Sequence, residues 1–222
     1  GSSAMFDPQV LLDMVHNGMF VIQCYGATET CAAGIINFAQ DEKHIGAVGQ
    51  GSEYMDYKIE PDGELCMRGD CVMMGYYKDP EGTAEVIDKD GWLHTGDLGV
   101  MDAEGNVTIK GRSKNMLLGP SGQNIYPEEI EDKLNNMPFV SESIIIQQAD
   151  SKLAALVYPD FDDAFAHGLD NDAIAQAMEE NRINLNTELP AYSQIARVKI
   201  YPEEFEKTPK KSIKRFLYQE VK

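Results

Sequence analysis

With 222 residues, 43% of them hydrophobic, the chain has enough apolar material for one large or two small packed domains, which excludes a disordered polypeptide. Its 37 acidic against 19 basic residues leave a formal charge of −18, which opposes binding to nucleic acid. Cys24, Cys31, Cys66 and Cys71 have no CxxC spacing, so neither a zinc ribbon nor a thioredoxin-like site is indicated. Reduced core thiols are expected. No apolar run nears the roughly 20 residues that span a bilayer and no signal peptide is evident, so a cytoplasmic protein is expected.

Along the chain, a short helix is expected over residues 10–15, a buried strand over 19–24 and a glycine-bearing loop over 25–29. A loop at the carboxyl end of a strand is where open α/β sheets bind ligands. Between Gly46 and Lys110 the pattern changes to short alternating segments, among them Tyr57-Lys58-Ile59, Glu64-Leu65-Cys66-Met67 and Asn106-Val107-Thr108-Ile109. Asp62-Gly63 and Glu104-Gly105 turns separate them, so a small β subdomain is expected.

From Arg112 onward helix and strand alternate. Pro127 suits the first turn of a helix whose inner face carries Ile130 and Leu134, with Glu128 and Glu129 complementing its dipole. Residues 143–147 and 153–158 read as paired strands, 171–189 as an amphipathic helix stopped at Pro190, and 196–201 as a further strand. Ser212 is expected to cap a last helix over 213–221. The boundary is expected at residues 112–115, giving domains 1–111 and 112–222.

Three loop motifs carry candidate chemistry. Tyr25-Gly26-Ala27-Thr28-Glu29 offers an aromatic face, a flexible backbone, a hydroxyl and a carboxylate within five residues, which suits a nucleotide base, a phosphate and a divalent metal. An ordinary turn with a solvated Glu29 is the plain alternative. Gly91-Trp92-Leu93-His94-Thr95-Gly96-Asp97-Leu98 places Asp97 in a tight glycine turn, where it can accept strong bonds from vicinal hydroxyls or merely cap the turn. Trp92 and His94 read as packing residues, and His94 has no partners that would make it a metal ligand. Gly111-Arg112-Ser113-Lys114-Asn115, followed by Gly119-Pro120-Ser121-Gly122 and the string to Glu131, reads as a basic hinge, a glycine loop and a fresh helix start.

In that order these motifs resemble the second half of an AMP-forming acyl-CoA synthetase of the adenylate-forming ligase superfamily, most like long-chain fatty-acid CoA ligases. The resemblance implies an α/β and α+β chain: the end of the large N-terminal domain with its β subdomain, then the small mobile C-terminal domain. It implies that Tyr25 stacks on adenine beside Gly26, Thr28 contacts the α-phosphate, Glu29 helps bind Mg2+, and Asp97 and Arg112 hold the ribose. Lys114 would be the hinge, and Gly122 would leave room for the pantetheine arm of coenzyme A. ATP, Mg2+ and coenzyme A are the implied cofactors, and a fatty acid is the implied substrate.

The tail, residues 206–215, resembles the family's closing motif, which normally carries a catalytic lysine. Aligned on Thr208, Ile213 and Arg215, that position holds Ser212 here, preceded by Lys211. A hydroxyl cannot supply the positive charge that the chemistry requires. Lys211, or else Lys214, is expected to take the role; otherwise adenylation is weakened.

The family's phosphate-gripping loop, rich in Ser, Thr and Gly with a Lys, has no counterpart in this sequence. The chain is therefore expected to be a C-terminal piece of a larger synthetase, inactive alone. Residues 19–29 should expose an apolar sheet edge through which such a piece could dimerise. A peripheral membrane contact would belong to the parent, and a carrier-protein arm could replace free coenzyme A. The alternative from another class is a non-catalytic binding or regulatory module that kept the ligase scaffold.

Overall fold

The computed structural model describes residues 8–32, 34–38, 43–209 and 212–218. The chain divides into two compact units, one ending at Lys114 and the other beginning at Asn115.

The first unit opens with helix α1 (Pro8–His16), anchored by the buried Leu11. Strands β1 (Gln23–Tyr25), β2 (Ile35–Asn37) and β3 (Gln50–Gly51) form a small antiparallel sheet in that order. Before β3 the chain crosses Ile36 so closely that a Cβ on Gly49, whose φ is +98°, would lie 2.1 Å from the Ile36 carbonyl oxygen. The expected strand over 19–24 shortens to β1, and it is not buried: Met19, Phe20 and Ile22 are exposed. Those three residues precede β1, which among the described residues pairs with β2 alone.

A four-stranded antiparallel meander follows, with β4 (Met55–Ile59), β5 (Glu64–Gly69), β6 (Leu93–Met101) and β7 (Val107–Arg112) in sequence order. The Asp62-Gly63 turn works as its residues predict, since Gly63 takes φ +92° and Asp62 Oδ1 accepts the Glu64 N–H at 3.1 Å. Helix α2 (Pro80–Val86) interrupts the meander, capped by Asp79, whose side chain accepts the Gly82 N–H. Ile35, Val48, Met55, Leu65, Met67 and Val107 form the shared core of the two sheets.

The second unit begins with a hairpin of β8 (Leu117–Leu118) and β9 (Asn124–Ile125). Helix α3 (Pro127–Asn135) starts with proline at its first turn and buries Ile130 and Leu134 one turn apart. Strand β10 (Val140–Gln147) pairs antiparallel with β11 (Leu153–Pro159). Helices α4 (Phe161–Ala166) and α5 (Asn171–Glu188) then cross to β12 (Ile195–Ile200), parallel to β11. Asp170 caps α5 by accepting the Ala173 N–H, and the buried stripe Ile174, Met178, Asn181 and Leu185 has helical spacing.

The sheet sorts its side chains with period two. Ile145, Leu153, Ala155 and Val157 face the helices, while Ile144, Ile146, Ala154 and Leu156 pack on Phe205 and Tyr218. That second face replaces the expected last helix. Ile213 bridges back to Lys207, Thr208 N–H donates to Ser212 O at 2.8 Å, and among the described residues that follow only a 3-10 turn, Arg215–Leu217, forms. Ser212 therefore caps no helix over the described residues. Burial of Tyr218, whose Oη accepts the Glu206 N–H at 2.7 Å, outweighs the local capping signal. Residues 219–222 lie outside the described residues.

Candidate functional site

Strand pairing in the first unit places Asp97 of β6 directly across from Arg112 of β7. Arg112 Nε stands 3.0 Å from Asp97 Oδ1, and Arg112 Nη1 donates to the Thr95 carbonyl at 2.9 Å. From the end of β1, Tyr25 Oη donates to Asp97 Oδ2 at 2.5 Å. Burial first, and the Asp97 charge second, push the Tyr25 phenol well above its ordinary pKa, so it remains a donor. Asp97 is mostly enclosed, with 15% of its side chain exposed, while Arg112 keeps 56%.

Asp97 is not in an isolated tight turn, as its glycine neighbour suggested. It lies within β6, because the left-handed Gly96 (φ +70°) is absorbed into the strand next to a register shift at Leu98 and Gly99. Thr95 Oγ1 donates to Leu65 O at 2.7 Å, and the Gly96 N–H donates to Glu64 Oε1 at 2.8 Å. These bonds hold the bulged segment to β5.

After β1 the chain enters a 3-10 turn, Thr28–Thr30, closed when Thr30 Oγ1 accepts the Ala27 N–H at 2.9 Å. Cys31 and Ala32 follow at φ +54° and +61°, a strained left-handed pair. Gly26 and Thr28 are exposed and Glu29 is half-buried. Glu29 Oε1 accepts from Tyr76 Oη at 2.8 Å and its carbonyl accepts the Met73 N–H at 2.7 Å, so residues 73–76 brace the turn. A single partly exposed carboxylate fits Mg2+, which takes one or two protein carboxylates and fills its octahedron with phosphate and water oxygens.

Tyr25, Asp97 and Arg112 are thus brought into one cluster. The remaining candidates lie elsewhere along the chain. Lys114 is exposed in the 3-10 turn Ser113–Asn115, and the division between units falls directly after it. Gly122 takes φ +81° in the β8–β9 hairpin, with open space where a Cβ would stand. Lys214 Nζ stands 2.8 Å from Glu206 Oε2, and Lys211 lies outside the described residues.

One expectation is reversed by the pairing of β5 and β6. His94 does have partners: Cys66 is its cross-strand neighbour, and Glu64 lies two residues from Cys66 along β5. His94 Nδ1 is 2.7 Å from Glu64 Oε2 and 3.5 Å from Cys66 Sγ. The bond to Glu64 raises the His94 pKa, while burial, helped by the Glu64 charge, pushes the Cys66 thiol up to about 12. The i, i+2 spacing of Glu64 and Cys66 was visible in the sequence, but their register with His94 was not. Tyr76, the partner of Glu29, carried no sequence signal.

Residues 3–77 match the family described as AMP-binding enzyme, and residues 115–220 match the AMP-binding enzyme C-terminal domain. The chain is 34% identical over 185 residues to a 3-[(3aS,4S,7aS)-7a-methyl-1,5-dioxo-octahydro-1H-inden-4-yl]propanoyl:CoA ligase of Mycobacterium tuberculosis, covering 81% of this chain and 36% of that protein. It is 41% identical over 135 residues to a long-chain-fatty-acid–CoA ligase of Escherichia coli O157:H7, covering 56% of this chain and 24% of that protein. The chain thus spans about a quarter to a third of these relatives' length. In fold it resembles the o-succinylbenzoate CoA synthetase of Bacillus subtilis in complex with its acyl-adenylate intermediate, with TM-score 0.79, 23% identity, and coverage of 97% of this chain and 44% of that one. With both of its segments matched, the chain belongs to the AMP-binding enzyme family, among relatives that are acyl-CoA ligases.

Proposed function

We propose that this chain is the nucleotide-holding carboxy-terminal portion of an ATP-dependent acyl-CoA ligase. In the parent reaction a carboxylic acid and ATP give an acyl-adenylate and pyrophosphate, and the acyl group then passes to the thiol of coenzyme A with release of AMP. The observation that carries this reading is the Tyr25–Asp97–Arg112 cluster. A carboxylate fixed from two sides is a pre-oriented acceptor for the vicinal hydroxyls of a ribose, and the exposed part of Arg112 can reach the ribose or a phosphate. In this reading the Tyr25 ring packs on adenine beside Gly26, and Thr28 meets the α-phosphate. Glu29 would hold Mg2+, which when bound offsets charge on the phosphates. Domains 1–111 and 112–222 would be separated by a hinge at Lys114, with Gly122 making room for the pantetheine arm.

A long-chain fatty acid is the proposed substrate, supported by the identity to the Escherichia coli ligase. A cytoplasmic setting is part of the same reading, in keeping with four unpaired cysteines. Lys211 is the proposed catalytic lysine; Lys214 would first have to leave Glu206. That ion pair and the hydroxyl at Ser212 favour the second reading, a non-catalytic module on the ligase scaffold.

Calorimetric titration of the chain with AMP tests the site. Binding that weakens at least about tenfold in Asp97→Ala supports it, and no binding by the folded chain overturns it. Pyrophosphate release by the whole protein, with ATP, Mg2+ and fatty acids of graded length, then separates the two readings. Acid-dependent release lost in Lys211→Ala identifies the ligase, and the absence of release with any acid leaves the module.

A further inference from the structure

Glu64, Cys66 and His94 form a mixed oxygen, sulfur and nitrogen cluster whose potential ligand atoms all lie within 4.8 Å of one another. The sheet builds it at a register shift, where β5 from Glu64 to Cys66 runs beside the bulged stretch of β6 from His94 to Leu98. Side chains two apart on a strand share a face, so Glu64 and Cys66 project together from β5. The register sets His94 of β6 opposite Cys66. We propose that these three side chains bind a borderline divalent cation of the Zn2+ class, with water in the fourth position.

The distances suit such an ion. Tetrahedral zinc with Zn–S near 2.3 Å and Zn–N near 2.05 Å separates the sulfur and nitrogen by about 3.6 Å. Cys66 Sγ and His94 Nδ1 are already 3.5 Å apart. The oxygen–nitrogen separation in the same geometry is about 3.3 Å, so the 2.7 Å contact of Glu64 Oε2 with Nδ1 must open by about 0.6 Å, within the reach of a side-chain rotation. The ion takes the place of the proton shared by Nδ1 and Oε2 and of the thiol proton, both released to solvent.

Supporting contacts surround the three ligands. Glu64 Oε1 is held by the Gly96 N–H at 2.8 Å, and Asp88 Oδ2 lies 3.7 Å from His94 Nε2, where it can orient the ring. Cys66 is fully buried, while 35% of the His94 side chain is exposed, which leaves a path for the ion and its water. Thiolate with imidazole selects zinc, cobalt or copper over magnesium and calcium. The cluster is therefore distinct in chemistry from Glu29. Because Glu64 also holds Gly96, an occupied site would stiffen the strand that carries Asp97.

The test is titration of the folded, metal-free chain with Co2+, in a background carrying Cys24→Ser, Cys31→Ser and Cys71→Ser, which leaves Cys66 as the one thiol. The expected result is one equivalent bound with a thiolate-to-cobalt charge-transfer band in the near ultraviolet. The band should be absent in Cys66→Ser, and affinity at least about tenfold weaker in His94→Gln and Glu64→Gln. No charge-transfer band in the parent protein, or a band retained in Cys66→Ser, overturns the proposal. Should Cys66→Ser fail to fold, the zinc X-ray absorption spectrum of the parent protein decides. One sulfur among nitrogen and oxygen neighbours is expected, and a shell without sulfur is the overturning result.

Discussion

The phenol of Tyr25 and the carboxylate of Asp97 meet at 2.5 Å across 72 residues of sequence, tying the edge strand β1 to the meander. Asp97 raises the Tyr25 pKa through its charge and its hydrogen bond, after the larger effect of burial. In Asp97→Ala the Tyr25 pKa should fall toward, but not reach, its ordinary value near 10. Ultraviolet titration of tyrosinate would show one phenol moving to lower pH. An unchanged titration would mean that the two groups do not interact in solution.

The second unit depends on a buried ion pair. Arg215 forks onto Glu131, with Nη1 at 2.7 Å from Oε1, while the same oxygen accepts the Ile145 N–H at 2.6 Å. Burial raises the Glu131 pKa, with Arg215 pulling the other way. Arg215→Ala strands the buried Glu131 and should cost about 3–5 kcal/mol, whereas Arg215 left by Glu131→Ala still has Glu128 at 3.9 Å, so that loss should be smaller. The double replacement Glu131→Leu with Arg215→Met should cost far less than the two losses combined. Urea unfolding of all four proteins measures both effects.

Asp132, one residue further along α3, supplies a pH signature. Burial, then Glu128 and Glu129, raise its pKa to about 6, above its unfolded value near 4. The native state therefore holds this proton more tightly than the unfolded chain, and the group's contribution to stability is full below about pH 4 and lost as the pH rises through about 6. Asp132→Asn should leave the melting temperature unchanged at pH 4 and raise it at pH 7. A mutant no more stable at pH 7 would show that Asp132 is fully solvated.

Two glycines with left-handed backbone should respond differently to alanine. At Gly49 the new Cβ would sit 2.1 Å from a main-chain oxygen, whereas at Gly122 it meets nothing within 4 Å. Gly122→Ala should cost about 1–2 kcal/mol, the conformational penalty alone. Gly49→Ala should cost at least about 3 kcal/mol or prevent folding. Thermal melts of the two variants make the comparison, and equal losses would contradict the close crossing at Ile36.

What was legible in the sequence was local. Helix α3 with its proline start, the paired strands β10 and β11, helix α5 and the turns of the meander follow from residue type and spacing over a few positions. So did the order of motifs that marks the family, since each is contiguous. The last helix misled because its cap signal is local too, and a weak local preference yields to burial of Tyr218 and pairing of Arg215 with Glu131. Tertiary structure alone decided which distant side chains meet. Strand register set Arg112 against Asp97 and His94 against Cys66, and a shift of one residue would have turned each to the other face of the sheet. Register depends on which faces of all four strands are buried together, a property of the packed sheet that no single segment carries.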